Sequence, residues 1–458
     1  MSASDKKLTI LTLGVILLVS LGLHLYRIDY PNQPVFDETY FATQSADYIN
    51  HIPFVDLHPP LGKLIYAGVL AARGKLLGDA QFIKVDWNEN IKGTEAVYDP
   101  TRTYGNFPYV ALRTTSALVG VLLVLMFYFF LRSLGIPNVG AVLGASLVAL
   151  ESAMLIETRL ILLNGMYILF GFTALTFYFK KKPWPFAAGV LLGLALGVKM
   201  VAIVFIGPLL VYRYLMSRER ETGKLYRFSL LKIFGTTLMV YIAIFSLTNI
   251  YFSPQEQFQA LSSLHLASPD VAASMNDLGS LRSRAVLFLI EETVSISNYL
   301  SGPLSHPASS PWYFWPAAQI PMSYFIYGER EIRLVGNPAV WFAGTFAVVL
   351  ALVIAHRFLK RKKNARYGTR QKTVFWALLG GYITSLLPFF TIVRRSTYLY
   401  HYFPALLFSI GLLVWFLCDK FRFDNFSNLT KRQGVVLGAI AIFAVSGFVW
   451  SAKFVYGL

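Results

Sequence analysis

The sequence predicts an all-α polytopic membrane protein, and three observations support this fold class. Apolar runs of about 20 residues recur along the chain, which is the length that a helix needs to cross a bilayer. Hydrophobic residues make up 55% of the chain and charged residues only 14%, against roughly 25% charged residues in soluble proteins. Basic residues cluster in short stretches between the apolar runs, which is the positive-inside pattern of membrane proteins.

The net charge of +17 is explained by this orientation signal, so we expect the lipid bilayer and no nucleic acid as a partner. The first predicted span covers residues 8–25, and Lys6 and Lys7 before it predict a cytoplasmic N-terminus. Residues 28–107 are too polar to span and form the first outer loop. Within it, the apolar stretch 61–77 is interrupted by basic residues, which predicts a helix lying in the membrane interface.

The middle of the chain requires turns inside two long apolar stretches. Residues 141–178 would exceed a core of about 30 Å nearly twofold as one helix, so two spans should flank the polar insert that begins at Glu157. Residues 186–216 lie between two basic clusters that both belong in the cytoplasm, which predicts two short spans with a turn near Lys199. Further spans are predicted at about 109–131 and 233–251.

The last part of the chain contains a second long outer loop, residues 253–337, and four more spans. These spans end before His356, at Phe390, at about residue 417 and at about residue 450. The total is eleven spans in one membrane-embedded domain, residues 1–458, with the N-terminus inside and the C-terminus outside. We find no internal repeat of the kind that marks inverted-repeat transporters.

The polar stretch after the first span carries the most informative residues. Asp37 and Glu38 are adjacent acids, and His58 and Lys63 follow in the run His-Pro-Pro-Leu-Gly-Lys. A carboxylate beside the bilayer is costly unless it is solvated, paired or used in function. The alternative is that the two acids only stabilise the N-terminus of a helix.

Seven motifs in this order resemble the protein O-mannosyltransferases over nearly the whole chain. They are Phe36-Asp37-Glu38, the run from His58 to Lys63, Ala111-Leu112-Arg113, the run from Arg159 to Leu163, Gly197-Val198-Lys199, the run from His306 to Pro316, and the run from Tyr400 to Pro404. The resemblance implies a GT-C-class bundle that moves mannose from a polyprenyl-phosphate carrier to Ser or Thr hydroxyls of exported proteins. It makes Asp37 the general base, with Glu38 positioning Asp37 or a neighbouring cation.

The carrier phosphate needs cations, and arginine suits it by bidentate hydrogen bonding. The topology places Arg113, Arg159, Lys199, Arg394 and Arg395 on the outer side. Because five cations cannot all contact one phosphate, some should pair with acids, and we favour Arg394 or Arg395 for the phosphate. Further polar contacts to substrate are expected from His58, Lys63, His306, Tyr400 and His401. The three histidines could instead bind a divalent cation, although their spacing matches no metal motif.

Two departures from the family pattern matter. Residues 253–337 are too short for the β-trefoil MIR domain of eukaryotic members, which indicates a bacterial-type member, and position 164 is Asn where the family usually has Asp. The implied site faces the non-cytoplasmic side of the cell (inner or plasma) membrane, and the implied partners are a polyprenyl-phosphate-mannose donor and a secreted protein acceptor. Association with the translocon or with a second copy stays open. Alternatives are a related transferase that acts on lipid A or a cell-wall glycan, a transporter, and a pseudoenzyme subunit.

Overall fold

The chain folds into a bundle of α-helices with one small hairpin. The computed structural model describes residues 2–54, 56, 58–77, 103–217, 228–248, 308–360, 368–391 and 397–458. The helices are α1 Ala3–Leu25, α2 Glu38–Asn50, α3 Leu61–Leu77, α4 Tyr109–Leu134, α5 Asn138–Ala149, α6 Ser152–Glu157, α7 Asn164–Tyr178, α8 Pro185–Val198, α9 Ile206–Ser217, α10 Ser229–Thr248, α11 Pro338–Lys360, α12 Thr369–Thr391, α13 Phe403–Phe421 and α14 Lys431–Tyr456. Short 3₁₀ segments cover Met200–Phe205, Trp312–Ala317, Leu399–Tyr402 and Phe426–Asn428.

The helix ends carry the expected local signals. Ser2 caps α1 by accepting from the backbone N–H of Asp5, and Thr430 and Gln433 form a reciprocal capping box at the start of α14. The α4 helix ends at Gly135, whose φ of +87° suits glycine. Within the described residues, eight helical segments are long and apolar enough to cross a membrane, and the shorter helices α5 and α8 are also apolar.

The two predicted internal turns are confirmed as breaks between helices. The α6 helix ends at Glu157 and α7 begins at Asn164. The α8 helix ends at Val198, and Lys199 is extended, with φ −156° and ψ 129°, before a 3₁₀ segment begins. The stretch 61–77 is helical as predicted, whereas its position in the interface, the eleven-span count and the orientation stay predictions.

A β-hairpin lies in the region that the sequence analysis assigned wholly to a loop. Strand β1, Met322–Tyr327, pairs antiparallel with β2, Arg330–Leu334, and β2 packs against α14 and α6. The sequence does carry a hairpin signal here, since aromatic and branched residues flank the turn at Gly328. The part of the predicted loop at residues 253–307 lies outside the described residues.

The centre of the bundle is packed with aromatic rings. Phe172 of α7 lies 5.0 Å from Phe130 of α4 and 5.3 Å from Phe408 of α13, between ring centroids. The outward faces of α1, α10 and α14 are instead apolar and exposed, as at Leu18, Leu231 and Val435. Apolar outer faces of this kind are what a helix bundle presents to lipid.

The α1 helix connects the two ends of the bundle. Near its N-terminus, Asp5 is buried and accepts from Asn138 Nδ2 at 3.2 Å and from the backbone N–H of Phe426 at 2.8 Å. With 23 residues, α1 is about 35 Å long. Its C-terminal end leads directly into the segment that contains Asp37 and Glu38, so the candidate site lies at the opposite end of the bundle from Asp5.

Candidate active site

Glu38 and Arg113 form a buried, bidentate ion pair at the centre of this end of the bundle. Arg113 Nε donates to Glu38 Oε1 at 2.8 Å, and Nη2 donates to Oε2 at 2.7 Å. The carboxylate also accepts from the backbone N–H groups of Val35 and Ile161 at 2.9 and 2.8 Å, and from the Tyr104 hydroxyl at 3.3 Å. Glu38 therefore joins the first loop to α4 and to the segment between α6 and α7.

The contacts of Arg113 favour a structural role, and its predicted contact with the carrier phosphate stays a prediction. Its remaining N–H groups donate to the backbone carbonyls of Ile28, Pro31 and Gln33 at 3.0–3.2 Å. All five guanidinium donors are thus used inside the protein, and the side chain is fully buried. The alternative that the sequence analysis kept, in which some of the cations pair with acids, describes Arg113.

Arg159 is also engaged by the protein itself. Its guanidinium donates to the backbone carbonyls of His24, Tyr26, Arg27 and Val455 and lies 4.4 Å from the centroid of the Tyr456 ring. These contacts join the turn after α6 to the C-terminal ends of α1 and α14. A phosphate contact would have to compete with these hydrogen bonds, so the predicted contact of Arg159 with the carrier phosphate stays a prediction.

Asp37 lies immediately before α2 and is only partly buried. Its side chain makes no capping hydrogen bond to α2, and Glu38 is the first residue of that helix, so the alternative that the two acids stabilise a helix N-terminus would act through charge alone. Phe36 before it adopts φ +53°, a conformation that is costly for a bulky side chain. The Phe36 ring stacks on Tyr324 of β1, with centroids 4.3 Å apart and planes 11° apart. This stacking fixes the direction from which Asp37 enters the site.

Burial raises the pKa of the Asp37 carboxyl to about 6. The loss of solvation is the largest cause, the charge of Lys199 opposes it, and the nearby carboxylate of Asp56 adds to it. A carboxylate with such a pKa is still largely ionised at neutral pH and is a better base than an ordinary aspartate. The environment of Asp37 is therefore suited to accepting a proton.

Lys199 lies in a hydrogen-bonded network beside Asp37. Its Nζ donates to Asn164 Oδ1 at 2.9 Å and lies 4.9 Å from the centroid of the Tyr400 ring. Asn164 Nδ2 donates in turn to Glu157 Oε2 at 2.9 Å, and the Tyr324 hydroxyl donates to Glu157 Oε1. The structure thus places two predicted site residues, Lys199 and Tyr400, together, and the Tyr400 ring lies 6.4 Å from the ring of Phe36, the residue before Asp37.

Lys63 is buried at the first turn of α3 and holds the segment before it. Its Nζ forms a salt bridge with Asp56 and donates to the backbone carbonyl of His58 at 2.8 Å. The ring of His58 lies 5.8 Å from that of Phe41. Lys63 is therefore a support for Asp56, whose charge raises the pKa of Asp37. The predicted contacts of Lys63 and His58 with substrate stay predictions.

His401 is buried in the 3₁₀ segment that also carries Tyr400. Its Nδ1 accepts from the backbone N–H of Tyr398 at 3.0 Å, and its ring lies near those of Trp315 and Phe389. These contacts give His401 a structural role in shaping the turn beneath the site. His306, Arg394 and Arg395 lie outside the described residues, so their predicted roles stay predictions. Among the residues that are described, no cluster of three or more His, Cys, Asp and Glu side chains could hold a metal ion.

Three residues of the site were missed or undervalued by the sequence analysis. Tyr324 carries no sequence signal beyond its place in the hairpin, and Asp56 was not singled out among the residues before His58. Glu157 was predicted as a polar turn residue and as one of the acids that could pair with a cation, but not as a residue of the site. All three come within reach of Asp37 or Lys199 through contacts between distant parts of the chain, which spacing alone does not reveal.

Solved structures with the same fold define the class of protein. The S. cerevisiae protein O-mannosyltransferase Pmt1-Pmt2 complex bound to the sugar donor superimposes with a TM-score of 0.78 at 16% identity, covering 100% of this chain and 91% of that chain. The Archaeoglobus fulgidus oligosaccharyltransferase in its apo form gives a TM-score of 0.59 at 14% identity, covering 100% of this chain and 57% of the other. The fold is that of a GT-C membrane glycosyltransferase.

Sequence comparison narrows this class to one family. The family model for dolichyl-phosphate-mannose-protein mannosyltransferase matches residues 14–253, more than half of the chain, and the model for the C-terminal four-transmembrane region of protein-O-mannosyltransferase matches residues 288–458. This chain belongs to the protein O-mannosyltransferase family.

Individual relatives match slightly less than half of the chain. The S. cerevisiae dolichyl-phosphate-mannose–protein mannosyltransferase 1 is 32% identical over 221 residues, which are 45% of this chain and 25% of the relative. The human protein O-mannosyl-transferase 1 is 31% identical over 210 residues, 42% of this chain and 26% of the relative. The matched part of the chain spans about a quarter of the length of these curated relatives.

Proposed function

We propose that the protein transfers mannose from a polyprenyl-phosphate carrier to Ser or Thr hydroxyls of exported proteins, with inversion at the anomeric carbon. The observation that supports this most is the Asp37 carboxylate, which burial holds at a pKa of about 6 next to the charge of Lys199. A base and a cation side by side are the two groups that this reaction requires. The sugar, the carrier class and the protein acceptor are those of the dolichyl-phosphate-mannose-protein mannosyltransferases that this chain resembles.

The chemistry is a single displacement. Asp37 takes the proton of the acceptor hydroxyl while the hydroxyl oxygen forms a bond to the anomeric carbon. The bond from that carbon to the phosphate oxygen breaks at the same time. The departing polyprenyl phosphate needs no proton to leave at neutral pH, so one base is enough. Attack from the face opposite the leaving group inverts the centre, as in inverting glycosidases.

The leaving phosphate is stabilised by cations beside Asp37. All five N–H donors of Arg113 and four of the five of Arg159 are used in internal hydrogen bonds. Lys199 is therefore the candidate that we favour among the predicted cations within the described residues. Lys199 acts as a point charge, and Arg394 and Arg395 remain proposed partners of the same phosphate. The Tyr400 ring next to Lys199 provides an apolar wall for the carrier or the sugar.

We further propose that this site faces the non-cytoplasmic side of the cell membrane. The positive-inside pattern supports this orientation, because residues 28–107 carry more acidic than basic residues, whereas the predicted cytoplasmic loop 356–372 is strongly basic. Exported acceptor proteins reach this side when they cross the membrane. The translocon and a second copy of the chain are further partners that the proposal allows.

The test is transfer from labelled polyprenyl-phosphate-mannose by the purified protein, given Ser/Thr-rich peptides and host lipids together. Label in the peptide that is lost in Asp37→Asn is the expected result. Label in lipid alone would replace the proposal by a glycolipid transferase, and label in neither would reject mannose transfer. Analysis of the peptide product with α- and β-specific mannosidases reports whether the anomeric centre inverts.

A further inference from the structure

The proposed chemistry leaves one buried acid at the site without a task. Glu157 at the end of α6 is 1% exposed, and its two carboxyl oxygens accept from different partners. Oε2 accepts from Asn164 Nδ2 at 2.9 Å, and Oε1 accepts from the Tyr324 hydroxyl. Burying a carboxyl group costs free energy that hydrogen bonds only partly recover, so a purely structural position would be served as well by an uncharged side chain.

We propose that Glu157 is a positioning residue that orients the Asn164 amide, so that Asn164 holds the Lys199 ammonium beside Asp37. The proposal rests on the proposed function, because it assigns Glu157 to the same reaction. It adds a residue that touches neither substrate nor the reacting atoms and acts through two others.

The direction of the hydrogen bonds supports this assignment. A side-chain amide has one donor group and one acceptor oxygen, and lysine can only donate. Because Glu157 Oε2 needs a donor, Asn164 turns Nδ2 toward it and must present Oδ1 to Lys199, where the distance is 2.9 Å. With no acceptor at position 157, the amide could rotate and point its own N–H groups at the ammonium.

A second connection runs through packing. The Tyr324 ring stacks on Phe36 at 4.3 Å while its hydroxyl donates to Glu157, and Phe36 directly precedes Asp37. Glu157 thus contacts the site along a polar route through Lys199 and along an aromatic route through Phe36. The hairpin that carries Tyr324 becomes part of the site in this way.

The role depends on the acceptor oxygen of Glu157 more than on its charge. Burial raises the pKa of Glu157 to about 7, with Tyr324, Asn164 and Lys199 lowering it and Asp37 raising it. Burial thus favours the protonated form of the Glu157 carboxyl. A protonated carboxyl can donate toward Tyr324 and still accept from Asn164, and glutamine can reproduce both contacts.

The experiment compares Glu157→Gln with Glu157→Met in the full-length protein. We expect Glu157→Met to move the acid limb of the kcat/KM profile to higher pH, because Lys199 no longer helps to keep Asp37 ionised. Glu157→Gln should keep the wild-type limb. Asn164→Leu should reproduce the shift, and the double variant Glu157→Met/Asn164→Leu should shift no further, since both changes break one connection.

Glu151 provides the matched control. It is a second fully buried glutamate at the other end of α6, and it accepts from the backbone N–H groups of Met154 and Asn337. Glu151→Met should lower the melting temperature without moving the acid limb. A limb that moves equally in Glu151→Met and Glu157→Met would reduce the effect to general damage and overturn the proposal.

A readout without turnover separates this proposal from the proposed function. Lys199 is 6% exposed, so an amine-acylating reagent should modify it slowly in the wild type, as followed by mass spectrometry. Acylation should be several-fold faster in Glu157→Met and Asn164→Leu, and unchanged in Glu157→Gln and Glu151→Met. Equal rates in all variants would overturn the positioning role even if the protein transfers mannose, whereas the expected rates in a protein without transfer would reject only the proposed function.

Discussion

Asp37 and Glu38 are neighbours in the chain, but their surroundings differ in every respect that sets reactivity. Glu38 is fully buried against Arg113, and its oxygens accept hydrogen bonds from Val35, Tyr104 and Ile161 as well. Asp37 is partly buried, makes no capping hydrogen bond, and has its nearest compensating charge on Lys199. One carboxylate is saturated with donors and the other is not.

The difference teaches how one site separates assembly from chemistry. The Glu38 cluster joins three segments that are far apart in sequence, and a saturated ion pair of this kind holds its geometry. The ion pair holds Glu38, the residue after Asp37, in place. The Asp37 carboxylate itself takes no part in this ion pair and can accept a proton. The following predictions test this separation, from the largest expected effect to the smallest.

Replacing the base should have the largest effect. Asp37→Asn is expected to lower kcat for mannose transfer by about 10²–10⁴-fold, because a positioned base contributes roughly that factor, while donor binding is largely kept. Steady-state transfer and a donor-binding titration measure the two quantities. Asp424→Asn, an exposed aspartate at the opposite end of the bundle, serves as the control, and a similar loss in both variants would contradict the assignment.

Removing the buried arginine should damage the fold instead of the chemistry. Arg113→Met leaves Glu38 as an unpaired buried charge, which costs roughly 3–5 kcal/mol of folding free energy. The expected outcome is a large drop in melting temperature and in the yield of folded protein. Arg330→Met, at an exposed arginine of the hairpin, should change neither. A stable Arg113→Met protein with weak donor binding would instead restore Arg113 as a phosphate ligand.

Removing the cation beside Asp37 should change the pH dependence of transfer. Lys199 lowers the pKa of Asp37, so Lys199→Met should raise it and move the acid limb of kcat/KM to higher pH. Transfer should therefore fall more at pH 6 than at pH 8. A uniform loss at both values would mean that Lys199 binds the phosphate without affecting the base.

The ionised Asp37 carboxylate should also lower the free energy of unfolding at neutral pH. Folding raises its pKa from an ordinary 3.8 to about 6, so between these values the folded state binds more protons than the unfolded state. The stability contribution of Asp37 therefore falls as pH rises from about 4 to about 6. Asp37→Asn should melt higher than the wild type at pH 7, with a difference that shrinks toward pH 4. A constant difference would argue against the raised pKa.

The smallest effect is expected from the packing of α3 beside the Glu38 cluster. A Cβ at Gly62 would lie 2.5 Å from Leu163 Cδ2, the end of a side chain that can shift. Gly62→Ala should therefore cost about 1 kcal/mol of folding free energy. A Cβ at Gly68 of the same helix would meet nothing within 4 Å, so Gly68→Ala should be neutral or slightly stabilising. Chemical denaturation or melting curves compare the two, and equal effects would contradict tight packing at this point.

The sequence alone determined the fold class and much of the helical layout. Long apolar runs predict helices because backbone groups in lipid must pair within the helix, and the breaks near Glu157 and Lys199 followed from length and from the sign of the flanking loops. The motifs also predicted Asp37, Lys199 and Tyr400 as site residues, and the structure places the last two next to each other. Each of these inferences depends on composition or on short-range pattern, which a single sequence displays.

Only the tertiary structure decided which charge meets which partner. Arg113, Arg159 and Lys199 look alike in the sequence as cations at the ends of apolar runs. The structure separates them, because Arg113 is satisfied by Glu38 and backbone carbonyls, Arg159 by backbone carbonyls alone, and Lys199 by Asn164 next to Asp37. Backbone carbonyls carry no sequence signature, and their availability depends on how distant segments pack, so the division between structural and reactive charges arises only in the folded chain.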